Sequence, residues 1–199
     1  MRVALVDYGA GNLRSVCSAL ARVGAEPVVS ATPEQVAEAP LALVAGVGNA
    51  GAAAARLEEL GLADALRRRA EAGRPLLGIC LGMQLLFEES EEGGRGLGLL
   101  RGRVARLRAA RVPHMGWNAL RVRTPSALLD GLDGEHVYFA HSYGCEPAEQ
   151  VAVADVDHDG TIVAAVERAP VAGVQFHPER SGPAGRRVLR NAIAWSRSA

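Results

Sequence analysis

The sequence predicts an α/β fold with a mostly parallel central sheet, helices on both faces of that sheet, and added antiparallel strands in the C-terminal half. Three observations support this fold class. Short β-rich runs alternate with helical patterns in the first half, strand-like runs follow one another closely in the second half, and 49% of the 199 residues are hydrophobic. We expect residues 1–199 to form a single domain, because no repeat, low-complexity segment or linker divides the chain.

The N-terminal half is predicted to contain four strands and four helices. The predicted strands are Arg2–Asp7, Pro27–Ser30, Leu41–Val44 and Pro75–Ile79. The first helix begins near Leu13 and ends at Gly24, and Thr32-Pro33-Glu34-Gln35 predicts a capping box that starts a second helix. Apolar residues at helical spacing predict a long third helix over Ala52–Ala72, and a fourth helix is expected over Met83–Glu88.

The C-terminal half is predicted to consist mainly of strands. Strand-like runs lie near 103–107, 118–123, 136–141, 151–156, 161–167 and 171–176. Turns such as Asp157–Gly160 separate them, so we expect antiparallel strands that continue the parallel sheet. A closing helix is predicted over Ala184–Trp195 because its apolar residues fall on one face.

Charge and composition argue against several classes of protein. The 22 basic and 22 acidic residues cancel and no long basic run occurs, which argues against nucleic-acid binding, and Arg67-Arg68-Arg69 has the spacing of a solvated helix face. No segment has the apolar pattern of a signal peptide or a membrane span, so we expect a cytoplasmic protein. Three cysteines without a CxxC pattern predict neither a disulfide framework nor a metal site.

A candidate nucleophile follows the fourth predicted strand. Gly78-Ile79-Cys80-Leu81-Gly82 has the form of a nucleophile elbow, in which glycines allow close backbone contact around a strained turn. A helix that begins after such a turn directs N–H groups at the sulfur and supplies an oxyanion donor, here the N–H of Leu81. The pattern alone leaves a second interpretation open, in which Cys80 is a packed core residue.

The candidate base lies in the segment VQFHPERSG, residues 174–182. His177 ends an apolar run, and Glu179 follows two residues later, where it is able to orient the imidazole. The other four histidines lack such a setting. Cysteine, histidine and glutamate together indicate attack on an acyl carbon through a thioester.

The segment Gly46–Gly51 fits the GxGxxG pattern of a dinucleotide site. We reject that interpretation because the next strand ends in Ile79-Cys80, whereas the fingerprint requires an acidic residue there. The carboxyl ends of parallel strands meet at one edge of a sheet, so we expect this loop beside Cys80. Its N–H groups would complete an oxyanion hole.

These motifs together resemble the class I (triad) glutamine amidotransferase family, and the resemblance covers essentially the whole chain. The motifs are DYGAGNLRSV (7–16), GVG (46–48), GICLGMQ (78–84), PHMGWN (113–118), HSY (141–143) and QFHPERSG (175–182). Their combination is similar to the branch that supplies ammonia to a cyclase in histidine biosynthesis. The resemblance implies a three-layer α/β/α flavodoxin-like fold, glutamine as substrate, and no metal or organic cofactor. It also implies a heterodimer with a cyclase subunit that has a (β/α)₈ barrel.

The resemblance assigns roles to individual residues. Cys80 would be the nucleophile, His177 the proton carrier and Glu179 its orienter, while the N–H groups of Val47 and Leu81 would form the oxyanion hole. The implied glutamine contacts are Gly48, Gln84, Glu92, Ser142 and Tyr143. The implied partner interface contains Asn12, Trp117 and Tyr138, although core packing is an equally open interpretation for the two aromatic residues. From the sequence, the acidic run 88–92 that contains Glu92 would be the end of a helix.

One position departs from the family pattern. The family's Pro-Gly-Val-Gly is here Ala45-Gly46-Val47-Gly48, and the loss of proline predicts a more mobile segment with higher unstimulated glutamine hydrolysis. The alternatives to this assignment are a glutaminase for another synthase, such as that of anthranilate or pyridoxal phosphate, a different cysteine hydrolase, and a scaffold without activity.

Overall fold

The computed structural model describes residues 1–30 and 32–197. The strands and helices follow the chain in this order: β1 (Arg2–Val6), α1 (Leu13–Arg22), β2 (Glu26–Ser30), α2 (Pro33–Glu38), β3 (Leu41–Gly46), α3 (Ala50–Glu59), α4 (Leu62–Glu71), β4 (Leu76–Cys80), α5 (Leu81–Gln84), β5 (Phe87–Ser90), β6 (Leu100–Arg106), β7 (His114–Ala119), β8 (Arg121–Val122), β9 (His136–His141), β10 (Tyr143–Pro147), β11 (Ala152–Asp157), β12 (Thr161–Arg168), β13 (Val171–Val174) and α6 (Gly182–Trp195).

The central sheet has eight strands in the order β2-β1-β3-β4-β13-β12-β11-β8. The first five run parallel and the last three are added antiparallel, which confirms the predicted fold class. The parallel part has the 2-1-3-4-5 order of flavodoxin-like folds, in which ligands bind at the carboxyl ends of the strands. Two clusters of buried apolar residues form the core, and every residue of β3 and β4 is buried.

The predicted long helix Ala52–Ala72 is wrong, because the chain breaks it into α3 and α4. Gly61 adopts a left-handed conformation with φ of 66°, which a helix interior does not allow. Leu57 and Leu62, on either side of the break, are both fully buried. The break lets each short helix present its own apolar side to the sheet.

The predicted capping box is also wrong, although the helix begins at Pro33 as expected. The Thr32 side chain makes no capping hydrogen bond, and the Gln35 amide oxygen instead accepts a hydrogen bond from Ser30 Oγ at 2.6 Å. Arg69, predicted on a solvated face, is buried. Its guanidinium donates to the carbonyls of Pro75, Val36, Ala37 and Ala39.

The C-terminal half contains more separate pieces than predicted. The run expected at 118–123 is divided between β7 and β8, which lie in different sheets. The strands β5 and β10, which the sequence did not indicate, flank β6 in a three-stranded sheet. β7 pairs antiparallel with β9 in a two-stranded sheet, which we call the β7–β9 hairpin although β8 lies between the two strands in the sequence. The predicted strand 171–176 ends at Val174 and pairs parallel with β4 as well as antiparallel with β12. Within the described residues, no helix is long and apolar enough to cross a membrane.

Candidate active site

Cys80 lies on a strained turn at the carboxyl end of β4. Its φ of 53° and ψ of −108° are unusual for a residue with a side chain, since positive φ normally requires glycine. The flanking glycines are sterically necessary: a Cβ on Gly82 would collide with the carbonyl oxygen of Val44, and one on Gly78 would overlap the backbone of Gly82. The local geometry is that of a nucleophile elbow.

The helix after the elbow differs from the prediction of Met83–Glu88. It begins directly at Leu81 and ends after one turn at Gln84, and residues 87–90 form β5 instead. Phe87 is fully buried, and its carbonyl passes so close to Gly96 that a side chain at that glycine would collide with it. A single turn has only a small dipole, so the helix adds less favourable electrostatics at the sulfur than the predicted longer helix would.

His177 and Glu179 lie next to Cys80 on the neighbouring segment. The segment leaves β13, and a short 3₁₀ turn over Pro178–Arg180 brings Glu179 Oε1 to 2.9 Å from His177 Nδ1. The His177 N–H donates to the Tyr138 carbonyl at 2.9 Å, which fixes the backbone of the turn. Cys80 lies close enough to the imidazole for its sulfur to raise the pKa of His177.

The protonation of His177 follows from these contacts. Burial alone lowers the pKa of His177, but the hydrogen bonds and charges of Cys80 and Glu179 outweigh it and raise that pKa to about 10. At neutral pH the ring is therefore an imidazolium. A neighbouring imidazolium favours the thiolate, which is the nucleophilic form of cysteine.

Glu179 is nearly as buried as the histidine that it orients. Its side chain is 6% exposed, and its second oxygen, Oε2, has no hydrogen-bond partner. In the part of the chain that the structure describes, this is the one buried side-chain oxygen or nitrogen without such a partner. The imidazolium of His177 therefore supplies most of the compensation for this buried charge.

A cleft of about 210 Å³ opens in front of Cys80. It brings together every residue expected to contact glutamine or the oxyanion, from four separate segments of the chain: Val47, Gly48, Leu81, Gln84, Glu92, Ser142 and Tyr143. Met115 and His141, to which the sequence analysis assigned no role in the site, also line the cleft. Residues far apart in the sequence thus meet around one sulfur.

Glu92 reaches the cleft by a different route from the one expected. The acidic run 88–92 is strand β5 and the turn after it, so the predicted helix end is wrong. The Glu92 carboxylate accepts a hydrogen bond from the Ala50 N–H at 2.7 Å, and the Glu92 carbonyl accepts from Asn49 Nδ2 at 3.2 Å. Glu92 therefore sits at the N-terminus of α3, where a carboxylate is favourable.

The glycine loop expected to form part of the oxyanion hole lies between β3 and α3. Gly46 pairs with Cys80 in the sheet, Val47 is 51% exposed, and Gly48 has a φ of 107°. The buried Tyr8 hydroxyl donates to the Ala45 carbonyl at 3.2 Å and leaves no room for a side chain on Gly46. Tyr8 thus anchors the strand that carries this loop.

Of the residues expected at a partner interface, Trp117 and Tyr138 face each other on the paired strands β7 and β9, and Asn12 precedes α1. Trp117 is 55% exposed, so core packing is not its role, and its ring contacts Tyr138 edge to face at 6.1 Å. Tyr138 is half-buried, and the Arg180 guanidinium lies 4.3 Å from its ring centre. Asn12 is exposed at the start of α1, where its side-chain oxygen accepts from the Ser15 N–H.

Sequence reasoning missed two groups of polar residues around the site. Gln175 is fully buried and donates to Cys80 Sγ at 3.6 Å. His114 and His141 are buried on the β7–β9 hairpin and share a hydrogen bond of 3.0 Å. Across residues 1–30 and 32–197, no cluster of three histidine, cysteine or acidic side chains could hold a metal ion.

Fold and site together define a class: a triad enzyme with a cysteine nucleophile on a flavodoxin-like sheet. The model of the family described as "Glutamine amidotransferase class-I" matches residues 4–195. The chain is 48% identical to imidazole glycerol phosphate synthase subunit HisH of Geobacillus kaustophilus and 46% identical to that of Aquifex aeolicus, covering 96% of this chain and 95% of each relative. The chain belongs to the class-I glutamine amidotransferase family, and within it to the HisH subunits.

Solved structures agree with this family at the level of the fold. One titled "Crystal structure of glutamine amidotransferase" has a TM-score of 0.80 at 24% identity, over 98% of both chains. One titled "Structure of PurLQS from Thermotoga maritima" has a TM-score of 0.78 at 23% identity, over the same shares. At these identities the likeness concerns the fold alone.

Proposed function

We propose that this chain hydrolyses glutamine to glutamate and ammonia, and that it delivers the ammonia to a cyclase subunit in histidine biosynthesis. The observation that carries the proposal is the cleft. It places a strained cysteine, with a buried histidine–glutamate pair behind it, opposite all of the residues expected to hold glutamine. We also propose that residues 1–199 act as one glutamine amidotransferase domain, which the match over 4–195 supports.

The first half of the reaction forms a thioester. The Cys80 thiolate attacks the side-chain carbonyl carbon of glutamine, and the carbonyl oxygen becomes an oxyanion that the N–H groups of Leu81 and Val47 stabilise. The carbon–nitrogen bond then breaks while the His177 imidazolium gives its proton to the leaving nitrogen, which departs as ammonia. Glu179 keeps Nδ1 protonated, so the proton is transferred from Nε2.

The second half of the reaction regenerates the enzyme. The neutral imidazole of His177 takes a proton from water as the hydroxide adds to the thioester carbon. The carbon–sulfur bond breaks, glutamate leaves with its acid proton released to solvent, and the thiolate–imidazolium pair is restored. No cofactor enters this sequence of steps.

We propose that free glutamine binds in this cleft through the residues that line it. The Glu92 carboxylate offers a partner for the α-ammonium group, since charge-assisted hydrogen bonds are the strong ones. Gly48 leaves space at the loop, and Ser142 and Tyr143 form the opposite side of the cleft. We propose that Gln84, at the base of the cleft, contacts the substrate near the sulfur.

The exposed apolar residues around the cleft suit a partner subunit. Val47, Met115 and Trp117 are each at least half exposed, and a patch of this kind marks a protein–protein interface. We propose that a cyclase subunit with a (β/α)₈ barrel covers this face in a heterodimer, with Asn12 and Tyr138 in the contact. Its products would be imidazole glycerol phosphate and aminoimidazole carboxamide ribotide. The expected cytoplasmic location remains a prediction.

Replacement of the nucleophile tests the proposed function. We expect Cys80→Ala to abolish glutamine hydrolysis, whereas Cys17→Ala, at a half-buried cysteine on α1, should leave it unchanged. A diazo-ketone analogue of glutamine should alkylate Cys80 alone, as read by peptide mass spectrometry. Full glutamine-dependent synthase activity of Cys80→Ala in a complex with the cyclase would instead indicate a scaffold.

A further inference from the structure

Gln175 is a buried polar residue that the proposed reaction does not use. It follows β13 and precedes His177 by two residues, and its side chain is completely shielded from solvent. Its backbone N–H donates to the Ala164 carbonyl at 2.8 Å, so the strand fixes its position. Its amide nitrogen lies 3.6 Å from Cys80 Sγ, within the range of a hydrogen bond to sulfur. A buried amide of this kind needs partners for both of its ends.

The orientation of the Gln175 amide follows from its neighbours. The Tyr143 carbonyl accepts only, so the atom of Gln84 that lies 2.9 Å from it must be the amide nitrogen. The same nitrogen lies 3.1 Å from Gln175, which therefore presents its oxygen to Gln84. Only the NH₂ end of Gln175 is left to face the sulfur, so the sulfur accepts this hydrogen bond.

The far end of this chain of hydrogen bonds is fixed as well. The Tyr143 carbonyl also accepts from His141 Nδ1 at 2.8 Å, so both of its lone pairs are used. Because Nδ1 of His141 carries the proton, Nε2 of the same ring accepts a hydrogen bond from His114 Nδ1 at 3.0 Å. His114 Nε2 is then free to accept from Asn118 Nδ2, which lies 3.4 Å away. Donors and acceptors alternate without conflict from the hairpin to the sulfur.

We infer that Gln175 is a second hydrogen-bond donor to the Cys80 sulfur, which holds the sulfur in place and stabilises its thiolate. This inference deepens the proposed function and rests on it for its role in turnover. His177 loses its proton to the departing ammonia and regains it from water, so its support for the sulfur changes within each cycle. The Gln175 amide is neutral and donates in every step. It therefore supports the thiolate as the thioester breaks down.

Three titratable side chains interact electrostatically with the Cys80 sulfur: His177, Tyr8 and Cys145. His177 is the cation among them. Burial raises the pKa of Tyr8, and the Cys80 charge raises it further; the same two causes raise the pKa of Cys145. Tyr8 and Cys145 therefore stay neutral and protonated around neutral pH. The thiolate then has one charged partner, His177, and one neutral donor, Gln175.

The pH dependence of Cys80 alkylation by iodoacetamide tests this inference on the full chain. Gln175→Met removes the donor at similar volume, and we expect the midpoint of alkylation to rise by about one pH unit. Gln175→Glu keeps the shape, and its ionised carboxylate has no hydrogen to donate and adds a like charge, so the midpoint should rise further over the pH range in which that carboxylate is ionised. Gln35→Met, the same change at a distance from the site, is the matched control and should not move the midpoint.

The outcomes separate a role at the sulfur from a structural one. If both Gln175 variants are folded by circular dichroism and alkylate with the wild-type midpoint, Gln175 does not donate to the thiolate. Should Gln175→Met fail to fold, the isosteric Gln175→Glu decides by the same criterion. Iodoacetamide requires no glutamine site, so the result is independent of the substrate. If the diazo-ketone analogue failed to label Cys80 while the midpoint still rose, the proposed function would fail and the second donor would stand.

Discussion

The triad region and the β7–β9 hairpin meet at the same cleft but are built in opposite ways. Cys80 ends β4 and His177 lies three residues after β13, and both of these neighbouring parallel strands are buried along their whole length. On the hairpin, residues alternate: His114, Phe139 and His141 are buried, whereas Met115 and Trp117 on the other face are exposed. The chemical groups are thus held within this chain, and the face beside them presents exposed apolar side chains.

The largest expected effect concerns the buried side. Glu179→Gln keeps the size of the side chain but removes the carboxylate that fixes the His177 tautomer. We expect kcat for glutamine hydrolysis to fall by about 10² to 10⁴-fold. The pKa of His177 should fall as well, read from the pH dependence of kcat. Glu26→Gln, at an exposed position on β2, is the control. Wild-type kcat in Glu179→Gln would show that the pair is not preorganised for catalysis.

The buried face of the hairpin should make the protein sensitive to acid. Burial, followed by the charges of neighbouring histidines, lowers the pKa of both His114 and His141 to about 4, against about 6.5 in an unfolded chain. The unfolded state therefore takes up protons first as pH falls, so the free energy of unfolding should decrease between pH 6.5 and pH 4. Each histidine contributes roughly 3 kcal/mol to that loss.

Substitution of His114 isolates its share of this acid sensitivity. His114→Phe keeps a ring between Phe139 and His158. In this variant the decrease in the free energy of unfolding from pH 6.5 to pH 4 should be smaller by about 3 kcal/mol, as measured by urea titrations. His136→Gln, at an exposed position of the same hairpin, should keep the wild-type loss. Equal losses in wild type and His114→Phe would mean that the buried face of the hairpin does not carry this sensitivity.

The exposed face of the hairpin should matter for assembly. Trp117→Ala removes a half-exposed indole beside the cleft, and we expect the Kd for a cyclase subunit to rise by about 30-fold, or about 2 kcal/mol. Val29→Ala is the matched control, because Val29 is exposed on β2, an edge strand of the central sheet. Titration calorimetry measures both. An unchanged Kd in Trp117→Ala would place the partner on another face.

The smallest expected effect concerns β3, the strand that pairs with β4 beside Cys80. Ala45→Pro restores the proline of the family pattern and should lower hydrolysis of glutamine without the partner by a few-fold, about 1 kcal/mol, because proline restricts the backbone. Tyr8→Phe, which removes the hydroxyl donor to the Ala45 carbonyl, should shift this basal rate in the opposite direction. Basal hydrolysis in Ala45→Pro equal to or above wild type would contradict the expectation that Ala45 loosens this strand.

The sequence was most informative where function depends on local geometry. The spacing of Gly78, Cys80 and Gly82 predicted a strained elbow, because a tight turn between strand and helix leaves no room for a side chain at either of the two glycine positions. Alternating strand and helix patterns likewise predicted the parallel sheet. His177 and Glu179 are two residues apart, so their contact also lies within one short segment.

The sequence was least informative where contacts join distant segments. Gln175 stands inside a motif that was identified, but its partner Cys80 is 95 residues away. Glu92 was expected at a helix end, and its contact with Ala50 depends on the packing of the turn after β5 against the start of α3. The paired histidines of the hairpin had no local signal, since their hydrogen bond spans 27 residues. Such contacts depend on tertiary packing, which periodicity does not encode.

We propose that a preorganised triad in this chain hydrolyses glutamine under the control of a partner on its exposed face. The most direct measurement is glutamate production from glutamine by this chain alone, with a cyclase subunit, and with that subunit and its nucleotide ligand. We predict a low rate for the chain alone and a marked increase when both are present. Equal rates in the three conditions would contradict the account.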